Sequence, residues 1–208
     1  TAINSAAWCE AAGLEPSGRG TLLYVHIGRE VSAATVQDGQ LLVRHGESEV
    51  RFGHTIVAAG GPRCQCGGYG HLTPIASAGA LVRSMIGRAS DDDQSLAAVL
   101  QITGGRAEAL TAPQVVELAT GGNPIARDVL AVAQDALSLA IANAILLLSP
   151  DEIVLGGPLT PAGEAFLQPL RHRLAALLGH SAPVPTVRMG RFEPFSVLKG
   201  AYALARDW

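Results

Sequence analysis

The stretch from Asn123 to Gly157 constrains the fold of this chain more than any other. Asn123 is a favoured helix N-cap, and Pro124 suits the first helical position, where its missing N–H leaves no bond unmade. The helix they begin is predicted to run to about Leu148 and to stop before Pro150. From Ala136 onward Ala, Leu and Ile lie almost all the way round it, so its second half must be buried. Glu152-Ile153-Val154-Leu155-Gly156-Gly157 follows at once and reads as a buried strand ending in a glycine turn. A buried helix feeding directly into a buried strand requires a sheet with helices packed on it.

The remaining segments supply that sheet. Gly13 to Gly20 is a polar turn bearing Pro and Gly. Thr21 to Gly28, Val31 to Val36 and Gln40 to Arg44 read as three strands, and Asp38-Gly39 is a tight hairpin signal between the last two. An antiparallel meander follows from this. From Pro74 the period becomes helical, with Ile75 to Val82 as the first such run. Ser90 is expected to cap a helix whose first turn carries Asp91-Asp92-Asp93. Those carboxylates suit the positive end of a helix dipole better than a metal. Pro161 to Leu178 reads as a helix, Thr186 to Phe192 as a strand and Phe195 to Arg206 as a final helix. The expected class is α/β: a mixed five-stranded sheet, three antiparallel strands then two joined through helices, covered by helices. This is the plan of ribonuclease-H-like and actin-like ATPase lobes.

Composition narrows the function. With 208 residues, 48% of them hydrophobic and 16% charged, the chain can bury a core as one domain or two small lobes. A net charge of −3, with the arginines scattered, argues against a nucleic-acid footprint on this piece. No uninterrupted apolar run reaches the roughly 18–20 residues that span a bilayer. The nearest, Ala136 to Leu148, is broken by Ser138 and Asn143, and no membrane partner is expected. No secretory leader is recognisable. Three cysteines do not form a paired disulfide framework, so a reducing cytoplasm is the expected compartment. Cys9 is expected to be buried and inert. The chain starts at Thr1, inside the helix-like stretch Ile3 to Glu10, as an excised piece of a longer protein would.

One constellation carries chemistry. His54, Cys64, Cys66 and His71 place four nitrogen and sulfur donors within 18 residues. Thiolate and imidazole are the donors that tetrahedral zinc prefers. Gly67, Gly68 and Gly70 allow the backbone to curl until His71 returns to the two thiolates. The plainer alternatives are a glycine-rich loop with incidental cysteines and solvated histidines, or a strained Cys64–Cys66 disulfide. Four closed ligands would make the zinc structural, one per chain, because a catalytic zinc keeps an open position.

These same residues carry a resemblance. Gly53-His54 followed by Cys64-Gln65-Cys66-Gly67-Gly68-Tyr69-Gly70-His71-Leu72 resembles the zinc motif of the ROK family of repressors, open reading frames and kinases. That motif reads Gly-His, then Cys-x-Cys-Gly-x-x-Gly-Cys-Leu-Glu, then a helix containing Ser-Gly, for which Ser77-Ala78-Gly79 stands here. Pro150 to Gly157 resembles the family's nucleotide-side strand, and Lys199-Gly200-Ala201 its closing helix start. Ile3-Asn4-Ser5-Ala6-Ala7 resembles the Asn-Asp-Ala-Asn-Ala segment that joins the two lobes at the sugar site. The resemblance implies a single C-terminal ROK lobe over residues 1–208, its zinc loop at about 53–72, without the first lobe or a winged helix-turn-helix.

The departures from the family pattern bear on activity. The general base of the sugar kinases is an Asp, and its place is taken here by Ser5, whose hydroxyl is too weak a base near pH 7. Arg51 stands for a sugar-binding Glu and Thr73 for a second one, leaving Asn4 and His54 of the usual sugar ligands. The phosphate loop Gly-Thr-Gly-x-Gly-Gly is replaced by Gly28-Arg29-Glu30-Val31-Ser32-Ala33, which puts a carboxylate near the phosphates. Gly28, Gly156 and Gly157 would be remnants of the nucleotide side, with Gly28 reading better as a hairpin glycine. The third cysteine of the zinc motif has become His71, which exchanges one thiolate for an imidazole.

The reading that follows is a non-catalytic effector-binding and dimerisation domain of a ROK-type, sugar-responsive transcriptional regulator. Its effector would be a sugar or, through Arg51, a sugar phosphate. DNA would be contacted only by a domain outside this chain, and self-association into dimers or tetramers is implied by the resemblance. The alternatives are an ATP-dependent carbohydrate kinase and a scaffold that has lost ligand binding.

Overall fold

In the computed structural model, residues 1–11, 20–42 and 51–206 are described. The expected strand from Gln40 to Arg44 and the turn from Gly13 to Gly20 therefore lie partly outside the described residues.

Five strands form one mixed sheet in the order β3-β2-β1-β4-β5: β1 is Thr21–Ile27, β2 Val31–Gln37, β3 Gln40–Leu41, β4 Glu152–Gly156 and β5 Thr186–Met189. β1 pairs antiparallel with β2 and parallel with β4, and β4 pairs parallel with β5. The Asp38-Gly39 turn between β2 and β3 has positive φ at both residues, 49° and 76°, as a type I′ hairpin requires.

Alternation sends the strand side chains to two separate cores. Leu23, Val25 and Ile27 of β1 and Ile153 and Leu155 of β4 join one cluster. Leu22, Tyr24 and Val154 join the other, with Ile3, Ala6 and Ala7 of α1 (Ala2–Ala11). The first face is covered by α2 (Thr73–Ala76), α3 (Ala78–Ala89), α4 (Asp93–Ile102), α5 (Ala112–Thr120), α6 (Pro124–Leu148) and α7 (Gly163–Leu178). The second is covered by α1, against which α8 (Ser196–Arg206) packs. The mixed five-stranded sheet covered by helices is therefore present as expected.

The helix from Asn123 starts and stops as its sequence dictates, but its second half is not buried throughout: the last turn leaves Leu146, Leu147 and Leu148 exposed. Asn123 Oδ1 accepts the Ala126 N–H at 2.9 Å, and thirteen residues of α6 are buried. Among the described residues α6 alone is long and apolar enough to cross a membrane, and 61% of its most apolar window is buried in the protein. Arg127 and Asp128 in its first half and Asp135 at its middle confine its longest charge-free stretch to residues 136–148.

Several local expectations are corrected. Ser90 does not open a helix. It closes α3, and Asp92 caps α4 by accepting the Ser95 N–H at 2.8 Å. The helical run from Ile75 to Val82 is broken at Ser77, which is extended and whose hydroxyl accepts the Ala80 N–H to start α3. The last strand ends at Met189, three residues short of Phe192. The backbone after it turns to meet Glu10, which accepts the N–H groups of Arg191 and Phe192.

Candidate functional site

The four sequence-predicted donors converge. His54 sits at the end of a single 3-10 turn, Phe52–His54, and the other three lie on a hairpin-like excursion between residues 56 and 71. That excursion is held by backbone bonds: Cys64 N–H to Gly68 O at 2.8 Å, Gly70 N–H to Pro62 O at 3.0 Å, and Val57 N–H to Gly70 O at 2.9 Å. Gly70 has φ +68°, and a Cβ there would fall 1.8 Å from Ala58 O, so the turn returning His71 admits only glycine. The Gly-His pair is anchored likewise, since a Cβ on Gly53 would lie 2.1 Å from Val31 O.

The ligand atoms of His54, Cys64, Cys66 and His71 all lie within 4.8 Å of one another. His54 Nδ1 and His71 Nδ1 are 3.3 Å apart, Cys66 Sγ is 3.3 Å from His71 Nδ1, and Cys64 Sγ is 3.8 Å from His54 Nδ1. Zinc bonds of about 2.0–2.1 Å to nitrogen and about 2.3 Å to sulfur give tetrahedral edges of about 3.3 Å and about 3.6 Å. The donor set and its spacing thus fit a tetrahedral N2S2 metal. Cys64 is buried and Cys66 exposed, and neither forms a disulfide. Both histidines present Nδ1 inward, with the rings edge-on at 84°.

The predicted ligand residues fall on three elements. Asn4 and Ser5 are on α1, Arg51 and His54 flank the 3-10 turn, and Thr73 begins α2. Thr73 Oγ1 accepts the Val31 N–H at 3.2 Å, so part of its hydrogen-bonding capacity ties α2 to β2. Ser5 is buried and Arg51 exposed.

The glycines read as nucleotide remnants surround a polar cluster that the sequence did not announce. A Cβ on Gly156 would strike the Tyr24 hydroxyl at 2.0 Å, and one on Gly28 would approach His26 Nε2 to 2.7 Å. Gly157, at φ +100°, would meet Ile27 O at 2.8 Å. Glu193 Oε1 accepts from the Tyr24 hydroxyl at 2.7 Å and from the Gly157 N–H at 3.1 Å. Burial, then the bond to Glu193, push the Tyr24 phenol above its ordinary pKa, which keeps it a donor. Glu193 has no motif around it, so only the fold discloses it.

A second polar group is buried deeper. Arg188 donates to Glu10 Oε2 at 2.7 Å and to both oxygens of Glu152, tying α1, β4 and β5 together. Burial opposes the Arg188 charge, but the bonds to Glu152 and Glu10 outweigh it and hold its pKa above the ordinary value. Beside it, burial and the neighbouring Glu10 raise the Cys9 thiol, in keeping with an inert cysteine.

Comparison with known proteins places these features in a lineage. The model of the ROK family matches residues 1–208. The chain is 29% identical over 205 residues to the DNA-binding transcriptional repressor Mlc of Escherichia coli, covering 97% of this chain and 48% of that protein. It is also 29% identical over 160 residues to a glucokinase of Thermotoga maritima, covering 76% of this chain and 50% of that one. A ROK family glucokinase from Streptomyces griseus, solved with glucose and AMPPNP, superposes with a TM-score of 0.86 at 27% identity, over 100% of this chain and 67% of that chain. The chain thus spans about half the length of the curated relatives described.

Proposed function

Because the chain belongs to the ROK family, we propose that it is a non-catalytic effector-binding and dimerisation domain of a sugar-responsive transcriptional regulator. In this reading residues 1–208 are the C-terminal lobe of a longer cytoplasmic protein. One observation on α1 carries it. Ser5, which the resemblance puts in the place of the kinase base, is buried where α1 crosses α8: a Cβ on Gly200 would lie 1.7 Å from Ser5 O. The one carboxylate on α1, Glu10, is wholly buried and engaged by Arg188 and by the N–H groups of Arg191 and Phe192. α1 therefore offers no base to a sugar hydroxyl.

His54, Cys64, Cys66 and His71 would hold one structural zinc, supplying a cross-link between the 3-10 turn and the hairpin after it. The effector, a sugar or sugar phosphate, would be held among Asn4, Arg51, His54 and Thr73, with Ser5 buried beside Asn4 and the Arg51 guanidinium suited to a phosphate. Its binding favours one arrangement of the lobes in a homodimer and so alters the spacing of DNA-binding domains carried elsewhere in the protein.

The test is made on the complete protein. ATP turnover is measured over a hexose panel, and DNA affinity is measured with and without sugars and sugar phosphates. No turnover is expected, together with a ligand-dependent change in DNA affinity that Arg51→Ala weakens for phosphorylated sugars. Sugar-dependent ATP turnover would overturn the proposal in favour of a kinase, a reading supported by the likeness to the Streptomyces griseus glucokinase. Neither turnover nor any ligand response would leave a scaffold.

A further inference from the structure

We propose that the cavity at the carboxyl ends of β1 and β4 receives a small organic cation, an ammonium carried on an apolar body, with Glu193 as its counter-ion. The cavity, of about 650 Å³, lies among His26, Gly157, Pro158, Thr160, Pro161, Glu193 and Pro194. The carboxyl edge of a parallel strand pair is where open α/β sheets place their ligands. The volume falls in the range of small-molecule sites.

Charge selects the ligand class. The lining holds one carboxylate, one imidazole (His26, whose Nδ1 lies 3.4 Å from the Tyr24 hydroxyl) and neither lysine nor arginine. Glu193 Oε1 is engaged by Tyr24 and Gly157, while Oε2 receives no hydrogen bond and Glu193 enters no ion pair among the described residues. Lys199 lies instead over the Phe192 ring, 4.8 Å from its centroid. Glu193 is only partly buried, and its second oxygen is available to accept a cation or a strong donor entering the cavity.

The same arrangement turns phosphate away. The Gly157 N–H, the backbone donor at this edge, already serves Glu193 at 3.1 Å. A phosphate seeking that N–H would meet the carboxylate at short range, and like charges at such distances repel. Three proline rings furnish the apolar wall that an organic body needs and that a bare metal ion does not.

Glu193 is also held in place. Glu10 accepts the N–H groups of Arg191 and Phe192 at 2.8 and 3.2 Å, fixing the two residues that lead into it. Three residues on, the Ser196 hydroxyl is fully buried near Tyr24 and meets no hydrogen-bond partner of good geometry among the described residues. The site is thus preorganised by the fold, which lowers the cost of binding.

The proposal rests on the non-catalytic reading, because a kinase would use this glycine edge for its nucleotide, but the ratio of the two benzyl probes tests it separately from any ATP turnover. It is tested by calorimetric titration of the complete protein with benzylammonium chloride and, separately, with benzyl alcohol and ATP. Amide hydrogen exchange is followed in peptides spanning residues 153–160 and 190–197. Benzylammonium is expected to bind at least tenfold more tightly than the neutral alcohol, to slow exchange in both peptides, and to lose about tenfold in affinity in Glu193→Gln. Equal binding of ammonium and alcohol overturns the proposal, and so does the absence of binding. ATP protection of the same peptides would overturn it too. The wild-type ratio of the two probes decides the matter even where the variant fails to fold.

Discussion

Asp92 shows how one carboxylate ties its environment to pH. Its hydrogen bonds from Ser95, at the first turn of α4, draw its pKa below the ordinary carboxylate value of about 3.9. A depressed folded value means the stabilisation is complete above the unfolded pKa and is lost as pH falls through the folded one. The carboxyl carbon of Asp92 is therefore expected to titrate below the ordinary carboxylate value in an NMR series. Asp92→Asn, which keeps an acceptor at the cap, should remove the acid dependence of amide protection in α4 while retaining the helix. A midpoint at or above the ordinary value would contradict the cap. At the same scale, Cys66→Ser replaces a thiolate with a poorer zinc donor. Native mass spectrometry should show one zinc on the wild-type chain and a substoichiometric amount on the variant; full occupancy in both would remove Cys66 from the ligand set.

At the level of elements, α6 is anchored at one end and supported along its length. Asn123 caps it through Oδ1 and also donates from Nδ2 to the buried Ser95 hydroxyl at 3.0 Å, joining the starts of α6 and α4. Removing a cap of this kind costs about 1 kcal/mol, and the lost bond to a buried hydroxyl adds about as much again. Asn123→Ala should thus lower unfolding stability in urea by about 1–2 kcal/mol, and Asn123→Asp, an equally good cap to which the Ser95 hydroxyl can donate, should recover most of it. A loss within about 0.3 kcal/mol for the alanine variant would show that burial alone sustains the helix.

For the molecule as a whole, the Glu10–Arg188–Glu152 group is the joint between the two layers. Arg188 and Glu152 side chains are 14% and 11% exposed and Glu10 0%, and a single guanidinium serves carboxylates from α1 and β4. Breaking such a buried pair by removing one partner costs about 3–5 kcal/mol, because the remaining charge stays buried and uncompensated. Arg188→Ala strands two carboxylates and is expected to fall in that range by urea denaturation. Glu10→Gln, whose amide oxygen still accepts from Arg191 and Phe192, should cost less. The reverse order would mean that Glu10 is held chiefly by its charge. Because the same glutamate sets the segment before Glu193, the glutamine variant is also the gentler probe of the cavity at the strand ends.

What local chemistry could decide was legible along the chain. Asn123-Pro124, the Asp38-Gly39 hairpin and the β-rich run of β1 each place their determinants within a few residues, where capping, turn geometry and local propensity act. The convergence of His54, Cys64, Cys66 and His71 was legible for the same reason: they span one glycine-rich loop, so spacing stood in for distance. The break at Ser77 and the capping of α4 by Asp92 in place of Ser90 turned on which nearby hydroxyl or carboxylate met a particular N–H. Glu193 and the Arg188 joint were beyond reach of sequence. Tyr24 and Glu193 are 169 residues apart, and Glu10 and Arg188 are 178 apart. No local pattern encodes a hydrogen bond between groups that only the packing of α1, α8 and the sheet brings together.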